Sequence, residues 1–375
     1  MDVAFLVFLS SGLFLGWSLG ANDAANVFGT AVGSRMVRFP TAVVICSVFV
    51  LLGAVVSGSG ASAGLGELGA ITALGGAFTV ALAAALTVYG MTVAGLPVST
   101  TQAIVGAILG WNLFSGTATD LAALTRIAGT WVASPLLGAA FAWILYRLLR
   151  LTIRIAKPHL LILDQLLRVG FIAAGVVGAY SLGANNIANV VGVFVPASHL
   201  GTTTLGPLLL SGEQRLFAMG GMAIAVGTMF SRPVMMTVGR SLMTLNPAGG
   251  WVVVVAQSMV LFLFSSASLQ ALLHHVGLHV PLVPVSSSQA VVGAVVGVAL
   301  ARGLKGLRQI QWTVLRNIAI GWVLTPAIAA LIAYVALYVV QNVFEQAVVG
   351  AAGAAGAAGA AVRAGAVGTA GMAIP

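Results

Sequence analysis

Charge is what this sequence most conspicuously lacks. Of 375 residues only 6% are Asp, Glu, Lys or Arg, against 60% hydrophobic, and mean hydropathy is +1.09. A water-soluble domain carries about 25% charged residues, so there are too few here to cover a water-facing surface. That excludes a cytosolic enzyme, a nucleic-acid-binding domain and a disordered chain. Acids are the scarcest, 7 against 16 basic residues, for a net charge of +9. The basic residues punctuate apolar runs, so the excess reads as loop charge held on the cytoplasmic side of a membrane. Cysteine is nearly absent. Cys46, alone inside the apolar run Thr41–Leu52, cannot close an intrachain disulfide and reads as a packing residue. Paired acids, Cys/His ligand clusters and a Ser-His-Asp arrangement are also missing, which argues against an enzyme and against a resident metal or cofactor. The start, Met1-Asp2-Val3-Ala4, lacks the basic segment of a secretory signal and is expected to open the first helix.

What the chain has instead is long apolar runs. A spanning helix needs about 20 mostly apolar residues. Such runs cover Val3–Leu19, Thr41–Val56, Ile71–Tyr89, Leu121–Leu149, Leu166–Leu182, Phe217–Phe230, Trp251–Leu273, Val291–Leu300 and Ile318–Val340. Several are short or broken by Gly, Pro and Ser, as expected of half-helices that enter a membrane and turn back. The pattern predicts an all-α polytopic membrane protein of about 10–12 membrane segments. The densest basic stretch, Arg147 to Arg168, is expected to be a cytoplasmic loop, with Arg302, Lys305 and Arg308 on the same side. The expected division is a first repeat over 1–146, a basic loop over 147–168 and a second repeat over 169–345. A flexible Gly/Ala-rich tail is expected over 346–375.

The repeats are read from the chain itself. Ser18-Leu19-Gly20-Ala21-Asn22-Asp23-Ala24-Ala25-Asn26-Val27-Phe28-Gly29 recurs as Ser181-Leu182-Gly183-Ala184-Asn185-Asn186-Ile187-Ala188-Asn189-Val190-Val191-Gly192, with 9 of 12 positions identical. Pro97-Val98-Ser99-Thr100-Thr101-Gln102-Ala103 returns as Pro284-Val285-Ser286-Ser287-Ser288-Gln289-Ala290, followed in each case by two glycines four apart (Gly106 and Gly110; Gly293 and Gly297). Trp131-Val132-Ala133-Ser134-Pro135 is echoed by Trp322-Val323-Leu324-Thr325-Pro326. Three patterns twice in one order make two homologous halves. Duplicated halves are characteristic of secondary transporters, with binding where broken helices meet near the midplane.

The repeated patterns are the most polar parts of apolar stretches, and each has a chemical reading. Gly20 and Gly29 bracket the first, so local unwinding is expected to turn carbonyls inward. Asn22, Asp23 and Asn26 then offer oxygens to a hard cation, and a buried Asp23 charge requires a bound Na⁺ or a proton to compensate it. The second pattern follows a Pro break, so Ser99, Thr100 and Thr101 are expected in the first turn of a helix, where free N–H groups and the positive dipole end bind anions. Ser286, Ser287 and Ser288 supply the matching set from the other half. The third pattern reads as a Pro kink whose hydroxyl covers the freed carbonyl. His274 and His275 are placed at a helix end.

These residues resemble the inorganic phosphate transporter family, whose pattern Gly-Ala-Asn-Asp-x-Ala-Asn opens each half and whose Pro-Val-Ser-Thr-Thr follows later in each. Gly20–Asn26 and Pro97–Thr101 fit fully; Gly183–Asn189 departs at Asn186, and Pro284–Ser288 has Ser for Thr. The resemblance covers about residues 5–340 and implies an inverted-repeat anion permease carrying phosphate with Na⁺ or H⁺. It implies a cation site of Asn22, Asp23, Asn26, Asn185, Asn186 and Asn189, and an anion site of Ser99, Thr100, Thr101 and Ser286–Ser288. Gln102 and Gln289 would stand behind the anion site, where the family often has His, and Gln257 would replace an acid. With Asn186 where the family has a second Asp, either fewer cations bind or the anion is less negative. Phosphate symport is the first reading, a sulfate permease of the same fold the alternative, and an anion channel a weaker third. Expected partners are the anion, the coupling cation and the lipid bilayer, with a homodimer left open and no nucleic acid. The expected location is the plasma (inner) membrane.

Overall fold

The computed structural model describes residues 3–69, 71–93, 98–198, 200–205, 208–241 and 243–350. Asp2, Pro97 and the Gly/Ala-rich residues 351–375, all used above, lie outside the described residues. Thirteen α-helices are described: α1 Val3–Gly33, α2 Phe39–Gly66, α3 Leu74–Val93, α4 Thr100–Ser115, α5 Leu121–Ala156, α6 Leu160–Val191, α7 Gly212–Thr228, α8 Arg232–Ser241, α9 Pro247–Ser265, α10 Ala267–His275, α11 Ser287–Ala301, α12 Leu304–Leu307 and α13 Trp312–Asn342. A small antiparallel hairpin, β1 Thr203–Leu205 with β2 Leu208–Leu210, precedes α7. By length and composition seven helices among the described residues can cross a membrane: α1, α2, α3, α5, α6, α9 and α13. Helices α4 and α11 have 16 and 15 residues. At 1.5 Å per residue each reaches only about 24 Å, short of a hydrocarbon core of about 30 Å. They are the half-helices that the broken apolar runs foretold.

The basic stretch 147–168 is a correction. It is not a loop: α5 runs to Ala156 and α6 begins at Leu160, leaving only Lys157–His159 between them. Leu148, Leu149, Leu151, Ile153 and Ile155 alternate with Arg147, Arg150 and Arg154, and Leu and Arg are both strong helix formers. Lys157 turns the chain with φ 43°, Pro158 follows, and the His159 side chain accepts a hydrogen bond from the Leu161 N–H at 3.3 Å to start α6. The second basic cluster lies at the same end of the bundle. Arg302 donates to Tyr146 Oη at 3.1 Å and to Asn246 Oδ1 at 2.6 Å, and Tyr146 directly precedes Arg147.

The two halves do not sit side by side but exchange partners. Half-helix α4 packs on α13 of the other half, and α11 packs on α5. At each crossing the paired glycines meet the Pro-containing turn of the partner helix. A Cβ on Gly293 would lie 2.5 Å from Pro135 Cα, and one on Gly297 2.7 Å from Ala139 Cα. The matching values are 2.6 Å from Gly106 to Pro326 Cα and 3.0 Å from Gly110 to Ala330 Cα. Ser134 donates to Thr130 O and Thr325 to Gly321 O, each at 2.6 Å. These hydroxyls bond the carbonyl one residue before the one freed by proline, a small departure from expectation. Likewise α1 packs on α7 and α6 on α2.

That packing explains a second correction. Gly20 does not unwind α1; the helix is continuous from Val3 to Gly33, and α6 likewise through Gly183. The missing side chains serve close approach instead. A Cβ on Gly20 would come within 2.9 Å of Ile224 C, and one on Gly183 within 2.9 Å of Val50 Cα. At the other end of the chain, the first residues of the expected tail are packed: Val348 is 0% exposed and its carbonyl accepts the Trp111 indole N–H at 2.9 Å. His274 and His275 close the last turn of α10, and Cys46 is buried in α2.

Candidate anion and cation site

Helices α1 and α6 bring the two copies of the Asn-rich pattern together, and the N-termini of α4 and α11 meet them from opposite halves. Ser99 is the N-cap of α4 and Ser286 that of α11. Each accepts a hydrogen bond at 3.3 Å from the backbone N–H three residues on, that of Gln102 or Gln289. The first-turn N–H groups of Thr100, Thr101, Ser287 and Ser288 have no acceptor among the described residues. Two helix ends therefore present open donors, the arrangement that binds anions.

Asp23 is the sole acid in this cluster and is 7% exposed. Its Oδ2 accepts from the Ser287 hydroxyl at 2.8 Å and from Asn186 Nδ2 at 3.4 Å. Its Oδ1 makes no hydrogen bond among the described residues, nor does any ion pair reach Asp23 there. Asn26 Nδ2 donates to Ser287 Oγ at 3.2 Å. Across the pair, Asn189 Nδ2 donates to Thr101 Oγ1 at 2.9 Å and to Asn186 Oδ1 at 3.1 Å. The last Asn of each pattern thus reaches a hydroxyl on the other half's short helix. Asn22 Nδ2 turns back to Ser18 O at 3.2 Å and does not join this network through that bond.

Asn185 has a different task from the one its motif position implies. Its Nδ2 donates to Val285 O at 2.7 Å and its Oδ1 accepts from the Val285 N–H at 2.8 Å. Residues 279–286 carry no regular structure, and a buried unpaired peptide group is costly. Asn185 pairs both main-chain polar groups of Val285, as a neighbouring strand would. Thr101 adds a bond to Val285 O, and Ser288 one to Val98 O, each at 3.3 Å. Of the six hydroxyls assigned to an anion, Ser287, Thr101 and Ser288 therefore already donate to protein oxygens. Ser286 and Ser288 share a hydrogen bond at 3.0 Å. Ser99 and Thr100 donate to nothing among the described residues.

The network also leaves acceptors over. Gln102 Oε1, Gln289 Oε1 and Asn189 Oδ1 are buried without a partner among the described residues, as are both amide atoms of Gln257 on α9. Buried polar atoms nearly always have a partner, so these oxygens are candidates for holding a cation, a water or a hydroxyl of a bound ion. The role of the Val98 and Val285 peptides lay beyond the motif reading. Its one available sign was the Pro-Val pair that opens both copies.

Comparison with known proteins gives this geometry a context. A family model described as the phosphate transporter family matches residues 19–163 and 158–333. The chain belongs to the phosphate transporter family. The transporter is 27% identical over 409 residues to a protein of Thermococcus kodakarensis assigned as a phosphate permease, covering 88% of this chain and 96% of that one. It is 23% identical to the chloroplastic inorganic phosphate transporter 2-1 of Arabidopsis thaliana, over 86% of this chain and 70% of that one. Its fold matches a solved structure titled the sodium-dependent phosphate transporter with a TM-score of 0.70 at 24% identity, over 91% of this chain and 99% of that one. Family and helices together make it an integral multi-pass membrane transporter and not an enzyme.

Proposed function

We propose that the protein is a secondary symporter that carries inorganic phosphate with Na⁺ or H⁺ across the plasma membrane, its two halves related as inverted repeats. The observation that carries this reading is the meeting of two half-helix N-termini, one from each half, beside a buried carboxylate with one open oxygen. The open N–H groups at Thr100, Thr101, Ser287 and Ser288, with the Ser99 and Thr100 hydroxyls, take the oxyanion. Ser286, as cap, fixes the end of α11 that faces it. Asp23 takes the cation, aided by the amide oxygens of Asn26 and Asn189 and by the unpaired oxygens of Gln102 and Gln289. Asn22 stands on the same face of α1 as Asn26, one turn away. A buried charge without a partner costs at least about 2.5 kcal/mol by insertion scales, so an empty site disfavours the state and a bound cation restores it. That differential is what couples cation to anion. Residues 1–146 and 169–345 form the two repeats in this reading.

The test is uptake of labelled phosphate and labelled sulfate into proteoliposomes, each with and without inward Na⁺ and pH gradients. Saturable phosphate uptake that requires one of the gradients is expected. Gradient-driven uptake of sulfate but not phosphate would replace the substrate, and gradient-independent, non-saturating flux would replace the carrier with a channel. In the same assay Asp23→Asn is expected to abolish gradient-driven uptake while the protein stays folded.

A further inference from the structure

The duplication is unequal at one chemically decisive place, and the fold brings that place into contact with itself. Asp23 and Asn186 occupy the same position of the two copies. Their side chains meet where α1 and α6 face each other, with Asn186 Nδ2 donating to Asp23 Oδ2 at 3.4 Å. The amide is used at both ends. Its Oδ1 accepts from Asn185 Nδ2 at 3.0 Å and from Asn189 Nδ2 at 3.1 Å. Both donors belong to the second half, so Asn186 is wired as a neutral bridge between its own helix and the acid of the other half.

An acid at 186 would keep those two accepted bonds, since a carboxylate oxygen accepts as an amide oxygen does. Its other oxygen would replace the N–H and face the Asp23 carboxylate directly. Like charges at that spacing need a positive charge between them, a metal cation or a shared proton, and a proton would leave the ²²Na⁺ count unchanged. The Asn186 N–H therefore stands where that positive charge would be needed. On the other side of Asp23 the Ser287 hydroxyl occupies the same Oδ2, while Oδ1 accepts no hydrogen bond among the described residues and is open to an ion.

We infer that Asn186 sets the cation count of this transporter: its amide stands in for one Na⁺ at the Asp23–Asn186 contact, so that the site binds one Na⁺ fewer than a site with acids in both copies. This inference rests on the cation-coupled reading above. It makes Asn186 a stoichiometry-determining residue and not an ion ligand, since both of its amide atoms are already engaged by protein.

The experiment compares wild type, Asn186→Asp and the exchange variant Asp23→Asn/Asn186→Asp. Bound ²²Na⁺ per folded molecule is measured on purified protein, and charge moved per labelled phosphate is measured in proteoliposomes. Asn186→Asp is expected to bind one more Na⁺ per molecule than wild type and, where it transports, to move one more positive charge per phosphate. The exchange variant, with the acid moved to the other copy, is expected to return to the wild-type count. An unchanged ²²Na⁺ count in Asn186→Asp overturns the inference even if that variant no longer transports, because binding is read without turnover. Wild type that binds no ²²Na⁺ overturns it as well. If wild-type phosphate uptake ignores both Na⁺ and pH gradients, the coupled-symport reading itself has failed, a result distinct from an unchanged ion count in a coupled carrier.

Discussion

Replacing Gly293 by alanine probes the crossing that ties the two halves together. An added Cβ would lie 2.5 Å from Pro135 Cα and 2.6 Å from Pro135 C, and would also overlap the Pro135 carbonyl oxygen. Carbon atoms in ordinary contact stand about 3.5–4.0 Å apart, so α11 must withdraw from α5 by roughly 1 Å. Every obstructing atom is backbone, and no rotamer change relieves it. Overpacking of this kind costs about 1–3 kcal/mol. The N-terminus of the same helix carries Ser286–Ser288, whose bonds to Asp23 and Val98 have no slack of that size, at 2.8 Å and 3.3 Å. Gly293→Ala is therefore expected to lower the melting temperature by several degrees and phosphate uptake by at least tenfold. Gly106→Ala, 2.6 Å from Pro326 Cα, is expected to do the same from the other half. Gly129→Ala on α5 is the control. Beyond its own helix backbone, no atom of the described residues lies within 4 Å of its Cβ, and alanine is favoured over glycine within a helix by about 0.8–1.0 kcal/mol, so stability should hold or rise. Thermal unfolding in detergent and uptake in proteoliposomes read both quantities. If Gly293→Ala melts and transports like Gly129→Ala, the half-helices do not dock as described.

Asn185→Ala leaves the Val285 N–H unpaired and takes from Val285 O the shorter of its two hydrogen bonds, the other coming from Thr101 at 3.3 Å. With about 1–3 kcal/mol for each buried group left unpaired, the apparent phosphate affinity should fall at least tenfold. Asn185→Asp should fail as well, because a carboxylate cannot donate to Val285 O; a near-normal KM in either variant counts against the clamp. Ser286→Ala should cost about 1 kcal/mol and Ser286→Gly only a few tenths if the residue acts as an N-cap, so melting temperatures should rank wild type, Gly, Ala, and the reverse order of the two variants would contradict the cap. Trp111→Phe removes the indole N–H from Val348 O, a loss of about 1 kcal/mol. Maleimide labelling of Val348→Cys should quicken in the Trp111→Phe background, and equal labelling rates would show that the segment is held by other means.

Much of the molecule was legible before its structure. A deficit of charge and the run lengths determined the membrane class, because a bilayer solvates apolar side chains and demands internally bonded backbone. Self-comparison showed three patterns repeated in one order and singled out the polar residues, kept within apolar stretches at matched positions, that the fold then gathers where α1, α4, α6 and α11 meet. That a helix begins at each Ser/Thr-rich pattern was local and readable from the proline before it, although Ser99 and Ser286 prove to be the N-caps and not first-turn residues. Less local matters were not. Gly20 and Gly183 looked like points of unwinding, yet a glycine's purpose depends on what approaches it, and here that is a helix from the opposite half. Arg147 to Arg168 looked like a loop because charge marks departure from the bilayer, whereas helix propensity carried the helices past it. Ser287 turns to Asp23, Asn185 clamps Val285, and Asp23 meets Asn186, across sequence separations of 264, 100 and 163 residues. Composition and periodicity describe what each segment is able to bury or bond. Which partner it bonds is decided only when the two halves interpenetrate, because a hydrogen bond is specified by an approach of about 3 Å that no one-dimensional pattern encodes.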